Sequence, residues 1–236
     1  MAAQRELTFL LAEPERRLLR AIAARLPASV SSDHLTALGV LGAIGTGVAY
    51  ALSGRGTAWL WIAGALLVVQ WFGDSLDGTL ARVRRTERPH YGYYLDHIVD
   101  AFSTAVIGVG MGLSPYVDLR IAVGMVVVYL ALSINVYLES TAFGVFRLAY
   151  SRLGPTEVRL VMILANVLLA VSPPGPHLFL IANATVSLLG IGMVALLAVR
   201  VAKNLTRLSR EEPLKRAVPM TSSVASTQRL GASAST

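Results

Sequence analysis

The stretch AWLWIAGALLVVQWFGDSLDGTLARVRRTERPHYGYYLDHIVD, Ala58 to Asp100, decides how the rest of the chain is read. It begins as an apolar run of Trp, Leu, Val and Ala. Asp74 and Asp77 then appear before that run has ended, and Asp96 and Asp100 open the next one. Between them lies a short turn carrying Arg84, Arg85 and Arg88. Ionisable groups inside membrane segments are costly and mark function. The stretch therefore reads as two antiparallel membrane helices joined by a basic turn, with an acid pair on each helix at the joined ends.

Working outward, the same apolar character continues. The chain has 236 residues, of which 54% are apolar and only 15% charged. A membrane span needs about 20 mostly apolar residues. Six segments meet or approach that length: 35–53, 57–80, 91–113, 119–141, 155–172 and 178–201. Period-two alternation is absent, so a β-barrel is not expected, and helices satisfy their own backbone in lipid. The fold class expected is all-α: a bundle of six transmembrane helices. There is no cysteine, which excludes disulfides and thiolate metal sites. Met1 to Pro27 lacks the apolar core and cleavage site of a secretory signal.

The net charge of +7 is distributed as membrane topology distributes it. Arg5, Arg16, Arg17, Arg20 and Arg25 precede the first span; Arg84, Arg85 and Arg88 follow the second; Arg147 and Arg152 follow the fourth. Arg200, Lys203, Arg207, Arg210, Lys215, Arg216 and Arg229 follow the sixth, whereas the opposite loops hold only Arg55 and Arg120. Both termini and the acid pairs are expected on the cytoplasmic side. No nucleic-acid partner is expected.

Three regions follow. Residues 1–30 hold an amphipathic segment in which Leu18, Leu19, Ile22 and Leu26 recur at helical spacing. Such a helix can lie on the cytoplasmic leaflet or pack on the protein. Residues 31–203 form the membrane domain. Ser31, Ser32 or Asp33 can cap its first span. Gly39, Gly42, Gly45 and Gly47 in that span, and Gly108, Gly110 and Gly112 in the third, let helices approach closely within the chain or across a dimer. Residues 204–236 read as a disordered tail, rich in Ser, Thr and Ala.

Asp74 and Asp77 share one helix face, as do Asp96 and Asp100. Four carboxylates gathered at low dielectric repel one another. Their remedy is one or two divalent cations. All-oxygen ligation selects Mg²⁺ or Mn²⁺ over zinc, and a metal pair suits a phosphate or diphosphate substrate. Gly78, Ala81 and Gly92 leave room for a ligand near the acids, and Arg82 can reach a phosphate with its fork. A structural Asp–Arg network, or a cation path in an ion-coupled transporter, would also explain acids in the membrane.

The pattern D-S-L-D-G-T-L-A-R, a spacer, then G-Y-Y-L-D-H-I-V-D resembles the signature of the CDP-alcohol phosphotransferase family. Asp74, Asp77, Gly78, Ala81, Arg82, Gly92, Asp96 and Asp100 fall on its fixed positions, with a spacer one residue longer than the family's usual one. The resemblance implies a membrane enzyme of phospholipid synthesis. It would move a substituted phosphate from a CDP-linked donor to a hydroxyl acceptor and release CMP. It implies that Asp74, Asp77 and Asp96 bind the metals and that Asp100 both ligates one and serves as general base. Asp74, Asp77, Gly78, Ala81, Arg82 and Gly92 would form the nucleotide site. A homodimer is implied as well.

The donor stays open between CDP-diacylglycerol and a CDP-choline or CDP-ethanolamine type. GPTE, Gly154 to Glu157, is similar to a segment of the choline and ethanolamine phosphotransferases, although Glu157 also fits ordinary helix-start chemistry. Arg147, Arg152 and Arg159 gather near the same end. They can bind the phosphate of an inositol-phosphate or glycerol-phosphate acceptor, or simply anchor the chain on the positive side.

Overall fold

A computed structural model describes residues 11–143, 154–173 and 175–213. Among these residues there is no strand. Seven α-helices run in order: α1 (Ala12–Ala23), α2 (Ser32–Leu52), α3 (Ala58–Arg84), α4 (Pro89–Gly112), α5 (Leu119–Phe143), α6 (Pro155–Val171) and α7 (Pro176–Glu211). A 3-10 turn, Ser53–Arg55, links α2 to α3. The chain divides into two units, Met1–Ala198 and Val199–Thr236. The first holds α1 to α6 and the apolar part of α7; the second holds the last turns of α7.

The helix ends follow local chemistry. Of the three cap candidates it is Ser31 that caps α2: its Oγ accepts the His34 N–H at 3.2 Å, and His34 Nδ1 accepts the Ser31 N–H at 3.3 Å. Helix α3 stops because Arg85 turns into the left-handed region, with φ 56°, so that the Thr86 N–H reaches back to the Ala81 carbonyl at 2.9 Å. Pro89 then occupies the first turn of α4, where its missing N–H costs nothing. This short turn folds α4 back and places the acids of α3 and α4 at the same end.

Helices α2, α3 and α4 form the heart of the first unit. A Cβ added at Gly42 would lie 2.7 Å from the Gln70 backbone nitrogen, and one at Gly73 would lie 2.5 Å from the Leu35 carbonyl. One at Gly110 would lie 2.5 Å from the Gly47 Cα. These glycines bring α2 against α3 and α4 backbone to backbone, so they serve packing within the chain.

Among the described residues, four helices are long and apolar enough to cross a membrane: α2 with its following turn, α3, α5 and α7. The sequence reading counted six. Helix α4 opens among tyrosines, histidines, Asp96 and Asp100, and α6 has 17 residues. Helix α7 runs on to Glu211, past the boundary expected at Lys203. Helix α1 turns its apolar stripe onto the protein: Leu19 and Ala23 are buried with Leu35, Leu76 and Leu80. Arg84 fastens the loop behind it, donating to the carbonyls of Val30 at 2.5 Å, Pro27 at 2.8 Å and Leu26 at 3.0 Å.

Candidate active site

Asp74 and Asp77 sit on the last turns of α3, and Asp96 and Asp100 on the first half of α4. The tight turn brings all four together. Asp100 stands within hydrogen-bonding reach of Asp74 and feels the charge of Asp96. Asp77 feels both Asp74 and Asp96. The two pairs read from the sequence thus form one group.

Neighbouring helices supply the counterparts. From α6, Arg159 donates through Nη2 to Asp74 Oδ2 at 2.5 Å and through Nε to Gln70 Oε1 at 2.6 Å. This ion pair is largely sheltered, with 13% and 18% of the two side chains exposed, so it is screened less than a surface pair. From α2, Thr36 Oγ1 donates to Asp77 Oδ2 at 2.6 Å, and the Gly78 N–H donates to Asp77 Oδ1 at 2.5 Å. The α3 acids are therefore oriented by three different elements.

The α4 side is lined by rings. The His97 ring lies between Tyr93, 4.1 Å away between centroids, and Tyr137 of α5, 4.3 Å away. His97 Nδ1 is 3.5 Å from Asp96 Oδ2. Tyr129 and Tyr137 both stand close enough to Asp100 to feel its charge.

The remaining motif positions fall around this group. Arg82 is exposed and folds back over its own helix: Nη2 donates to Thr79 Oγ1 at 3.1 Å, and a Cβ at Gly78 would lie 3.3 Å from Nη1. Ala81 is half-buried. Gly92 faces open space, with no atom within 4 Å of an added Cβ. Glu157 commits both oxygens to backbone, accepting the Leu11 N–H and the Gly154 N–H at 2.9 Å each. Arg147 and Arg152 lie outside the described residues.

An all-carboxylate donor set fits a hard divalent cation and gives zinc nothing it prefers. Among the described residues, no three acids already stand as a closed ligand set. The carboxylates are gathered, and side-chain rotation would have to close them on an ion.

Sequence reasoning missed Gln70, Thr36 and Tyr137. Gln70 and Thr36 carried a faint signal, as polar residues on otherwise apolar faces. Tyr137 carried none, because its place beside His97 depends on how α5 packs against α4.

An all-helical membrane protein with four aspartates gathered where two helices meet defines a narrow class of phosphate-handling enzymes. Residues 30–202 match the sequence profile described as CDP-alcohol phosphatidyltransferase, and the chain belongs to that family. Four helices among the described residues are long and apolar enough for a membrane protein of that family, which uses divalent metal ions. A phosphatidylinositol phosphate synthase of Cutibacterium acnes (strain DSM 16379 / KPA171202) is 37% identical over 90 residues, which cover 38% of this chain and 41% of that protein.

Proposed function

We propose that this enzyme moves the phosphatidyl group of CDP-diacylglycerol onto a hydroxyl of a phosphorylated polyol, an inositol phosphate in the first instance, and releases CMP. The observation that carries the reading is Arg159. Gln70 holds its Nε and Asp74 one terminal nitrogen, which leaves N–H groups of the fork for the phosphate of an acceptor. The relative's name points to the same acceptor class. Arg147 and Arg152 belong to the same proposal. Glu157, held by backbone, would shape the acceptor side indirectly.

The chemistry follows from the group. The acceptor oxygen attacks the phosphorus that bears diacylglycerol. The bond from that phosphorus to the bridging oxygen breaks, and the bridging oxygen leaves with CMP. Asp100 takes the acceptor proton, as a carboxylate within hydrogen-bond reach can. Asp74, Asp77, Asp96 and Asp100 would hold one or two Mg²⁺ or Mn²⁺ ions, which when bound neutralise the diphosphate. Arg82 meets the nucleotide's phosphates, and Gly78, Ala81 and Gly92 leave room for the nucleotide.

The reading includes six spans. Helix α4 is 24 residues long; at helical rise it covers about 36 Å, enough for a bilayer core. With α6 shorter but apolar, an even count keeps both termini and the acids on the Arg-rich, cytoplasmic side. A homodimer belongs to the same reading, built on the exposed apolar flanks of α5 and α7.

The test is CMP release by the purified chain in lipid with Mg²⁺ or Mn²⁺. CDP-diacylglycerol and CDP-ethanolamine are each offered with inositol phosphate, glycerol phosphate, free inositol and diacylglycerol. CMP from CDP-diacylglycerol with a phosphorylated polyol, lost in Asp100→Asn, is expected. CMP from CDP-ethanolamine with diacylglycerol would overturn the donor. Release with free inositol as good as with its phosphate would overturn the role of Arg159.

A further inference from the structure

Helix α1 does more than cover apolar surface. Glu15 Oε1 accepts two hydrogen bonds at once, from Trp71 Nε1 of α3 and from Thr156 Oγ1 of α6, each at 2.7 Å. Trp71 is the neighbour of Gln70, and Thr156 lies one turn before Arg159 on the same helix. The bridge from α3 through Glu15 to α6 therefore flanks the direct contact between Gln70, Asp74 and Arg159. A second tie runs beside it. Glu157 Oε1 accepts the Leu11 N–H at the start of α1, while its Oε2 caps the start of α6 through Gly154.

We propose that Glu15 is a positioning residue for Arg159. By joining Trp71 to Thr156 it fixes the site end of α6 against α3, and so fixes where the guanidinium meets the acceptor. The inference rests on the reading of Arg159 as an acceptor residue. The physical reason is leverage. Arg159 is a long side chain whose terminal N–H groups must meet a phosphate with correct geometry. A shift of about 1 Å at such a group can cost about a hundredfold. A carboxylate oxygen bonded to donors on both helices restrains their separation at the place where it matters. The bonds need an acceptor oxygen and not a charge, so an amide in its place will serve.

The experiment measures kcat and the KM of each substrate, with CDP-diacylglycerol and inositol phosphate, for the full chain in lipid. Glu15→Ala is expected to raise the acceptor KM by about tenfold. The donor KM and kcat should stay within about twofold. Glu15→Gln should restore the wild-type value, and Thr156→Val should reproduce the alanine effect. Arg159→Ala should raise the acceptor KM further, and adding Glu15→Ala to it should change nothing more, because Glu15 acts through that arginine. A flat acceptor KM in Arg159→Ala would overturn the acceptor reading, and this proposal with it. A raised KM in Arg159→Ala with a flat one in Glu15→Ala and Thr156→Val, or additive effects in the double variant, would overturn the positioning role alone. A readout without turnover is available because the chain has no cysteine. Leu18→Cys on α1 and Val158→Cys on α6, at exposed positions, accept spin labels. Glu15→Ala is expected to broaden the distance between them and Glu15→Gln to leave it narrow; an equally narrow distribution in Glu15→Ala would sink the idea.

Discussion

Helices α3 and α4 bring two aspartates each to the site, yet they hold them differently. The α3 pair rides on a helix pressed against α2 through Gly42 and Gly73, and its carboxylates meet Thr36, Arg159 and the Gly78 N–H. The α4 pair stands on a helix whose first turns are open: Tyr91, Tyr93 and Tyr94 are exposed, and its buried residues begin at Ser103. Its acids are accompanied by the rings of His97 and Tyr137. The α3 acids are thus held by neighbouring groups, whereas the α4 side stands more open; under the proposed function, substrates would come in from the α4 side.

That contrast can be broken in order of force. Asp100→Asn, on the open side, should lower the rate of CMP release by about 10²- to 10⁴-fold while the protein melts with wild type. A comparable loss of stability would mean that α4 is as structural as α3. Gly73→Val, on the packed side, should behave in the reverse manner. An added side chain meets backbone, so a cost of about 1–3 kcal/mol or more is expected, read as a lower melting temperature in detergent. Gly92→Val, where an added Cβ meets nothing within 4 Å, should melt normally yet raise the KM for the CDP donor by about tenfold. The smallest effect is expected from Thr36→Val. It removes one hydrogen bond to Asp77 and should raise the metal concentration for half-maximal rate by about tenfold or less. No change there would mean that Asp77 is held well enough by its own backbone.

Much of the site was legible because it is local. Asp74, Asp77, Asp96 and Asp100 declare themselves by spacing on two helices and by the cost of acids in an apolar run. The glycines of α2 announced close packing, though not against which helix. What could not be read is what depends on a third or fourth helix. Arg159 looked like one of several basic anchors, and nothing in its neighbours points to Gln70 and Asp74. Glu15 received no reading from the sequence, because its two donors are 56 and 141 residues away. The apolar stripe of α1 fits a leaflet as well as a protein, and its packing against Leu35, Leu76 and Leu80 depends on helices further along the chain. The two span counts differ because Asp96 and Asp100 interrupt the apolar run of α4 and because α6 has 17 residues.

The tie between the Leu11 N–H and Glu157 spans 146 residues. During synthesis, Arg84 can find the carbonyls of Leu26, Pro27 and Val30 once α3 is made, because its partners precede it by 54 to 58 residues. The head of the chain must wait for α6 before it can close on Glu157. The four acids are thus synthesised first, and the arginine that faces Asp74 comes later in the life of each new molecule. A chain cut short before Pro155 would carry all four aspartates and lack Arg159.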